Sequence, residues 1–335
     1  MNSSSFLAPF KPNVAEAHLA AARQRVARAQ RVLLLTHVSP DGDAVGSLLG
    51  FGLAVRAIGK QVTFACSDGP PDTFRFLQSY AEISQEPRGE YDLIVALDAA
   101  DLGRLGKLGE QLPRPPDLMF DHHVTNPGFA AVNLLDVQSA STAELVTELL
   151  EPLGLPLTRV AAEALMVGII TDTLGFRTSS TTTKTLALVQ MLMQAGANLP
   201  ELYDLAFYKR SYHTVRLWGQ GLTRIKLEDR LVWASLTLAD KAATQYHGNG
   251  DGDLINVLNS VREADVAVIF TERADNKVKV SWRAVQGIDV AKLAMQFGGG
   301  GHVAAAGAEV SGPLAEVEAA VLAATKALLK NGRGR

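Results

Sequence analysis

Cys66 is the only cysteine in the chain. An internal disulfide is therefore excluded, and a lone thiol closing "QVTFAC" reads as a small buried hydrophobe in a reducing cytoplasm. No apolar run reaches the roughly 18–20 residues that a membrane-spanning helix needs. The start, "MNSSSFLAPFKPN", lacks a basic stretch followed by an apolar core, so no secretory leader is expected and a cytoplasmic location is. Basic charge is scarce too: 32 Lys and Arg stand against 35 Asp and Glu. From Arg216 onward 15 Lys and Arg face 13 Asp and Glu, which leaves −5 of the net −3 on residues 1–215. Proteins that track long nucleic acid carry a strongly basic groove. This one does not, so a nucleic-acid substrate would be short.

What is present suits a soluble two-domain protein of 335 residues, 47% apolar and 20% charged. Strand-like runs at 31–37 ("RVLLLTH"), 61–66, 91–98 ("YDLIVALD"), 117–122 and 130–137 alternate, in their first part, with helical stretches at 13–29 and 43–59. Helical character continues over 141–153, 158–174 and 181–196. Continuous apolar strands alternating with helices predict an α/β fold, a mostly parallel sheet covered on both faces. The segment 197–215, "ANLPELYDLAFYKRSYHTV", breaks the rhythm and reads as a connector. Beyond it, "LVWASLTL", "VAVIFTER" and "KVKVSWRAV" predict a smaller α/β domain over 216–330. No internal repeat or low-complexity tract stands out.

Chemistry-bearing residues gather where the apolar runs end. "LLLTHVSPDGDAVGS" offers His37, Asp41 and Asp43; "IVALDAAD" ends on Asp98; "MFDHHVTN" ends on Asp121, His122 and His123; "MVGIITDTLGF" places Asp172 near a helix end. Singly, each has a plain reading: a helix N-cap for Asp41 or Asp43, a core histidine for His122, a local cap for Asp172. Together they would converge on the carboxyl edge of a parallel sheet, where open α/β sheets bind ligands. Clustered carboxylates repel one another unless a cation joins them, so divalent metal is expected. Mixed His and Asp ligation favours Mn²⁺, with Mg²⁺, Co²⁺ or Zn²⁺ as substitutes. Two histidines and four aspartates suit two ions about 3.5–4 Å apart, which generate a hydroxide and clamp an in-line phosphoryl displacement. His122 and His123, adjacent on a strand, should point to opposite faces and take different roles.

These four motifs, with "FGGGGHVAAAG" at 297–307, resemble the DHH phosphoesterases that end in a DHHA1 domain, and within them the nanoRNase branch of bifunctional oligoribonucleases and pAp (adenosine 3′,5′-bisphosphate) phosphatases. The resemblance implies a DHH domain over 1–196, the connector at 197–215, a DHHA1 domain over 216–330 and an active-site cleft between them. It implies one metal on His37, Asp41 and Asp98, and a second on Asp43, Asp98, His122 and Asp172, with Asp98 bridging. Asp121 would orient His122, and His123 would face the scissile phosphate. The implied substrates are short oligonucleotides, the linear dinucleotide pApA and pAp; the implied assembly is a homodimer, without a membrane.

For the second domain, four successive glycines at 298–301, Gly299, Gly300 and Gly301 among them, strip side chains from a loop so that backbone N–H groups can approach an anion. A tight turn is the alternative. "VAAAG" has the small residues of a tightly packed helix. With the resemblance, His302 becomes a phosphate contact, and Arg262, Ser281 and Arg283 hold the substrate's terminal phosphate and nucleotide. Trp282 and Ala284 depart from the branch's usual pattern there; Trp282 reads as core more readily than as a base-stacking platform. A manganese pyrophosphatase would need a more cationic second domain. A RecJ-like DNA exonuclease would need a further nucleic-acid-binding domain, and a non-catalytic nucleotide sensor would be expected to lack a ligand. His213, His247 and the "HGNGDGD" loop read as surface or packing features.

Overall fold

Uninterrupted apolar runs build the first sheet. β1 (Arg31–Leu35), β2 (Gln61–Ala65), β3 (Leu93–Leu97), β4 (Leu118–Asp121) and β5 (Val132–Leu135) lie in the order β2-β1-β3-β4-β5, every pair parallel. Side chains alternate across it: Val32, Leu34, Val95, Leu97, Leu118 and Phe120 enter one core, while Leu33, Leu35, Ile94, Ala96 and Met119 enter another. Both faces are thus covered, as a parallel sheet requires. The computed structural model describes residues 13–248, 251–285 and 287–332. They divide into two compact units, Met1–Lys209 and Arg210–Arg335.

The first unit's helices are α1 (Glu16–Arg28), α2 (Gly42–Ala57), α3 (Gly106–Glu110), α4 (Thr142–Leu149), α5 (Arg159–Asp172), α6 (Thr183–Gln194) and α7 (Leu199–Tyr203). α2 is buried from Gly42 to Val55 because α4 and α5 pack against it. That burial explains its largely apolar sequence, which lacks a polar stripe. The chain passes from β1 to β2 on one side and returns to β3 on the other. Order therefore reverses between β1 and β3, the switch point where open α/β sheets hold ligands. His37 follows β1 and Asp98 follows β3.

The second unit contains α8 (Tyr212–Leu222), β6 (Lys226–Glu228), β7 (Leu231–Leu236), α9 (Leu238–Thr244), α10 (Leu254–Leu258), β8 (Val266–Arg273), β9 (Lys277–Ala284), α11 (Val290–Met295), β10 (Gly300–His302), β11 (Ala305–Ser311) and α12 (Leu314–Gly332). Its sheet runs β10-β11-β9-β8-β7-β6, antiparallel except for β7 with β8. Val278, Val280, Trp282 and Ala284 alternate inward along β9. Trp282 is fully buried, its indole N–H donating to Thr325 on α12 at 3.2 Å, so it is core.

The stretch expected to connect the domains carries α7, one π-helical turn over Asp204–Tyr208 and the start of α8. "VAAAG" is not a helix. It forms the turn and second strand of the β10–β11 hairpin, with Gly300 opposite Gly307 and His302 opposite Ala305. Alanine's helix preference yields to pairing with β9. Gly301 lies at φ 140°, and a Cβ there would stand 2.5 Å from the carbonyl of Ala305. The hairpin itself therefore demands glycine at that position.

Candidate metal centre

His37 is buried, and its Nδ1–H donates to the carbonyl of Val38 at 2.8 Å. Nε2 keeps its lone pair and lies 3.6 Å from Asp98 Oδ2 and 3.9 Å from Asp41 Oδ1. The Arg104 guanidinium stands 3.2 Å from the same Nδ1. That nitrogen already donates to Val38, so the Arg104 contact is not a hydrogen bond but a cation resting beside the site. Asp41 caps α2, its Oδ1 accepting from the N–H groups of Asp43 and Ala44 at 3.0 Å each.

Asp43 is buried in the first turn of α2 and accepts from the N–H groups of Thr142 (2.6 Å) and Ala143 (2.8 Å) at the start of α4. Gly168 on α5 makes this possible: a Cβ there would come within 2.4 Å of Ala143 Cβ and 2.9 Å of Asp43 Oδ1. Asp98 leaves β3 at φ 55°, a left-handed conformation that costs a non-glycine residue about 1–2 kcal/mol. Its N–H bonds the Phe120 carbonyl at 2.9 Å, and its Oδ1 accepts from the Thr142 hydroxyl at 2.8 Å. His122 donates from Nδ1 to the carbonyl of Ser139 at 3.3 Å. Its Nε2 lies 3.6 Å from Asp172 Oδ2 and 4.0 Å from both Asp43 Oδ2 and Asp98 Oδ1.

Two groups without a shared member result, His37–Asp41–Asp98 and Asp43–His122–Asp172, and a third, Asp98–His122–His123, overlaps both; within each the donor atoms lie within 4.8 Å of one another. Asp98 joins them, one oxygen toward His37 and the other toward His122. Separations of 3.6–4.0 Å are too long for hydrogen bonds. Donors each about 2.0–2.2 Å from a shared ion would stand about 3–4 Å apart, so the set fits divalent cations.

Electrostatics agrees. Burial, then the charges of Asp98, Asp172 and Asp41, push the Asp43 carboxyl well above its usual range, against the bonds from α4. Burial lifts Asp172 to about 7, with His122 opposing and Asp41 and Asp98 adding. Burial works to raise Asp98 too, but the nearby imidazoles of His37, His122 and His123 hold it below the carboxylate range. Burial would lower His37; Asp98 and Asp41 outweigh it and hold the imidazole above its ordinary value. A cation would replace these protons, so its uptake is coupled to their release.

Two expectations need correction. His122 and His123 do not diverge: their ring centroids are 4.7 Å apart, and His123 Nδ1 lies 3.6 Å from the same Asp98 oxygen that faces His122. β4 ends at Asp121, so the alternation that separates neighbours on a strand no longer applies. Asp121 does not orient His122 either. Its Oδ1 takes the Nδ1–H of His123 at 2.7 Å and its Oδ2 the Asn126 amide at 2.6 Å. Residue 123 returns to the side of residue 121, whereas the partner of His122 arrives from the loop after β5. Because Asp121 occupies His123 Nδ1, that nitrogen is not free for an ion. Burial lowers the His123 pKa, but Asp121 and Asp98 reverse this and push it up to about 9.

Residues 31–169 match the DHH family, N-terminal domain, and residues 237–331 match the DHHA1 domain. The bifunctional oligoribonuclease and PAP phosphatase NrnA of Thermus thermophilus is 35% identical over 287 residues, 84% of each chain. The chain belongs to the DHH/DHHA1 phosphoesterase family. NrnA of Bacillus subtilis is 27% identical over 83% of this chain and 89% of its own. An exopolyphosphatase-related protein from Bacteroides fragilis superposes with a TM-score of 0.86 at 26% identity, covering 96% of this chain and 98% of that one.

In the DHHA1 domain, register puts Arg283, Ala305 and His302 in one cross-strand row and Ser281, Gly307 and Gly300 in the next. Gly300 is exposed, with open space where a Cβ would be. Gly299 adjoins this row just before β10. The side chain of His302 lies outside the described residues. Arg262 is exposed in the turn after α10. The features read as bland stay so: Cys66 is buried with its thiol pushed up by burial, His213 bonds the Thr244 carbonyl, and His247 is exposed. In "HGNGDGD", residues 249–250 lie outside the described ones, and Asp251 accepts from the N–H of Ile255 at the start of α10. Sequence reasoning missed Arg104, Asn126, Ser139 and Thr142. Only the position of Asn126 inside "DHHVTN" offered a signal.

Among the described residues no helix is long and apolar enough to cross a membrane.

Proposed function

We propose that this family member hydrolyses very short oligonucleotides, including pApA, to mononucleotides and removes the 3′-phosphate of pAp, with Mn²⁺ as its cation. The observation that carries the reading is the shared carboxylate Asp98 between two His–Asp groups, in a chain that aligns with NrnA through both domains. The net charge of −3 favours short substrates over long nucleic acid. One ion would be held by His37, Asp41 and Asp98, the other by Asp43, Asp98, His122 and Asp172. Cations there would supply Lewis-acid activation of water and of the phosphoryl group.

The chain's own residues supply the rest. Water adds to phosphorus, the bond from phosphorus to the leaving ribose oxygen breaks, and that oxygen needs a proton. We assign that proton to Nε2 of His123, whose ring Asp121 fixes through the Nδ1–H. Asn126 fixes Asp121 from its other oxygen. Ser281 and Arg283, with the bare row at Gly300 and the neighbouring Gly299, Gly301 and His302, form the surface proposed for the substrate's terminal phosphate; Arg262 would join it from its turn. The test is a matched panel with Mn²⁺: pAp, pApA, a five-nucleotide RNA, a long single-stranded DNA and pyrophosphate, read by chromatography. Mononucleotide release from pApA and the five-mer, with dephosphorylation of pAp, is expected. Preference for pyrophosphate or long DNA would overturn the reading.

A further inference from the structure

Behind His122 lies a second charged cluster, which the chemistry above does not use. Lys184 on α6 reaches Glu148 (3.0 Å) and Glu144 (3.2 Å) on α4 and Asp136 (3.5 Å) beyond β5. One ammonium thus faces three carboxylates whose side chains are 0–5% exposed. Neither Glu144 oxygen has a hydrogen-bond partner among the described residues, so the charge of Lys184 is what offsets it. Burial works to lower the Lys184 pKa, but Glu148, Glu144 and Asp136 hold it above its ordinary value.

The cluster is wired to the metal centre. Lys184 donates to Ser139 Oγ at 3.3 Å, and Ser139 Oγ donates to Asp136 at 3.0 Å. The carbonyl of this same Ser139 accepts from His122. Lys184 also grips α4, whose first turn gives two N–H bonds to Asp43 and a hydroxyl bond to Asp98. Every contact that orients His122, Asp43 and Asp98 from the loop after β5 therefore belongs to a segment tied to α6 by one lysine. Partners of metal-bound imidazoles fix ring orientation and tautomer, and their loss costs about 10- to 100-fold in metal affinity.

We propose that Lys184 is a positioning residue for the metal centre, acting through Ser139 and the first turn of α4. The proposal rests on the metal reading above but not on the identity of the substrate. The experiment compares wild type, Lys184→Met, Lys184→Arg, Ser139→Ala and the charge-balanced Lys184→Met/Glu148→Gln. Each is stripped with EDTA, its melt recorded, and Mn²⁺ uptake titrated by electron paramagnetic resonance. Affinity should fall about tenfold or more in Lys184→Met and in the balanced variant, recover in part in Lys184→Arg, and fall less in Ser139→Ala. A purely structural lysine would lower the melting temperature and leave the affinity alone. Wild-type affinity in Ser139→Ala, or in either folded methionine variant, would overturn the proposal. Wild-type protein that takes up no Mn²⁺ would overturn the metal reading with it, so the two failures are distinguishable without any assay of turnover.

Discussion

The two units treat charge in opposite ways. In the second, acids stand in simple pairs at strand and helix edges: Lys277 with Glu309 at 2.7 Å, Lys326 with Glu228 at 2.8 Å, Arg210 with Asp253 at 2.9 Å. Such partly exposed pairs contribute about 0–1 kcal/mol each. In the first, Asp43 and Asp98 are buried beside Asp172, facing the imidazole of His122. Buried like charges cost stability, and a fold keeps them where something else is to be bound. The contrast sets the candidate metal site of the first unit apart.

The sharpest way to break the comparison is Asp98→Asn. The amide keeps the shape but removes the shared negative charge. Turnover should fall by about 10³ or more, and strong Mn²⁺ uptake should be lost. The melt of metal-free protein should fall, because the imidazoles that hold this carboxylate ionised lose their buried partner. Retained uptake in this variant would show that Asp98 does not join the two groups.

Next in size is what Mn²⁺ does to the folded chain. At 100 times its Kd a ligand stabilises the state it binds by about 2.7 kcal/mol. Hydrogen exchange followed by mass spectrometry should show slower exchange over β4, α4 and the end of α5. Peptides from β7 to β9 should not change. Equal protection in both units would erase the distinction.

A smaller effect comes from pH. The Asp172 carboxyl is lifted to about 7 in the fold, above its ordinary 3.8. Its stabilising contribution is full below the ordinary value and is lost as pH rises through about 7. His123, raised from 6.5 to about 9, acts in the same direction at higher pH. EDTA-treated protein should therefore melt progressively lower from pH 5 to pH 9, and saturating Mn²⁺ should flatten the decline above pH 7. A melt that rises with pH in the metal-free protein would contradict the assigned shifts.

How much of this was legible in the sequence follows from the range of the forces involved. Strands β1 to β5 announce themselves because a sheet buried on both faces needs unbroken apolar runs, and the acids and histidines that close those runs mark the site. Convergence of four separate segments was readable because chemistry, not local propensity, made them stand out. Partners were not readable. Asp121 bonds His123 instead of His122 because the chain leaves β4 at that residue, and no pattern encodes the angle at which it leaves. Ser139 reaches the site through its backbone carbonyl, and Thr142 and Ala143 each through a helix N–H, with the Thr142 hydroxyl added on Asp98; backbone groups carry no sequence signature. The Ala-rich hairpin is hidden because three alanines look helical alone, while pairing with β9 is a long-range fact.

The weakest effect, and the control for all the others, lies in the second unit. Asp240 closes a capping box with Thr237 at the start of α9, accepting from its N–H and hydroxyl at 2.8 Å each, and it pairs with Arg224. Burial would raise its carboxyl, but Arg224 and Thr237 win and hold it below the usual range. Its contribution is therefore present above the ordinary carboxylate pKa and fades as pH falls, opposite in sign to Asp172. Asp240→Ala should cost about 1 kcal/mol at neutral pH, the usual value of a lost cap. Less of that difference should remain near pH 3, and Mn²⁺ uptake should be unaffected. Should this variant weaken Mn²⁺ binding as Asp98→Asn does, the cation could not be assigned to one unit, and the contrast in charge would lose its meaning.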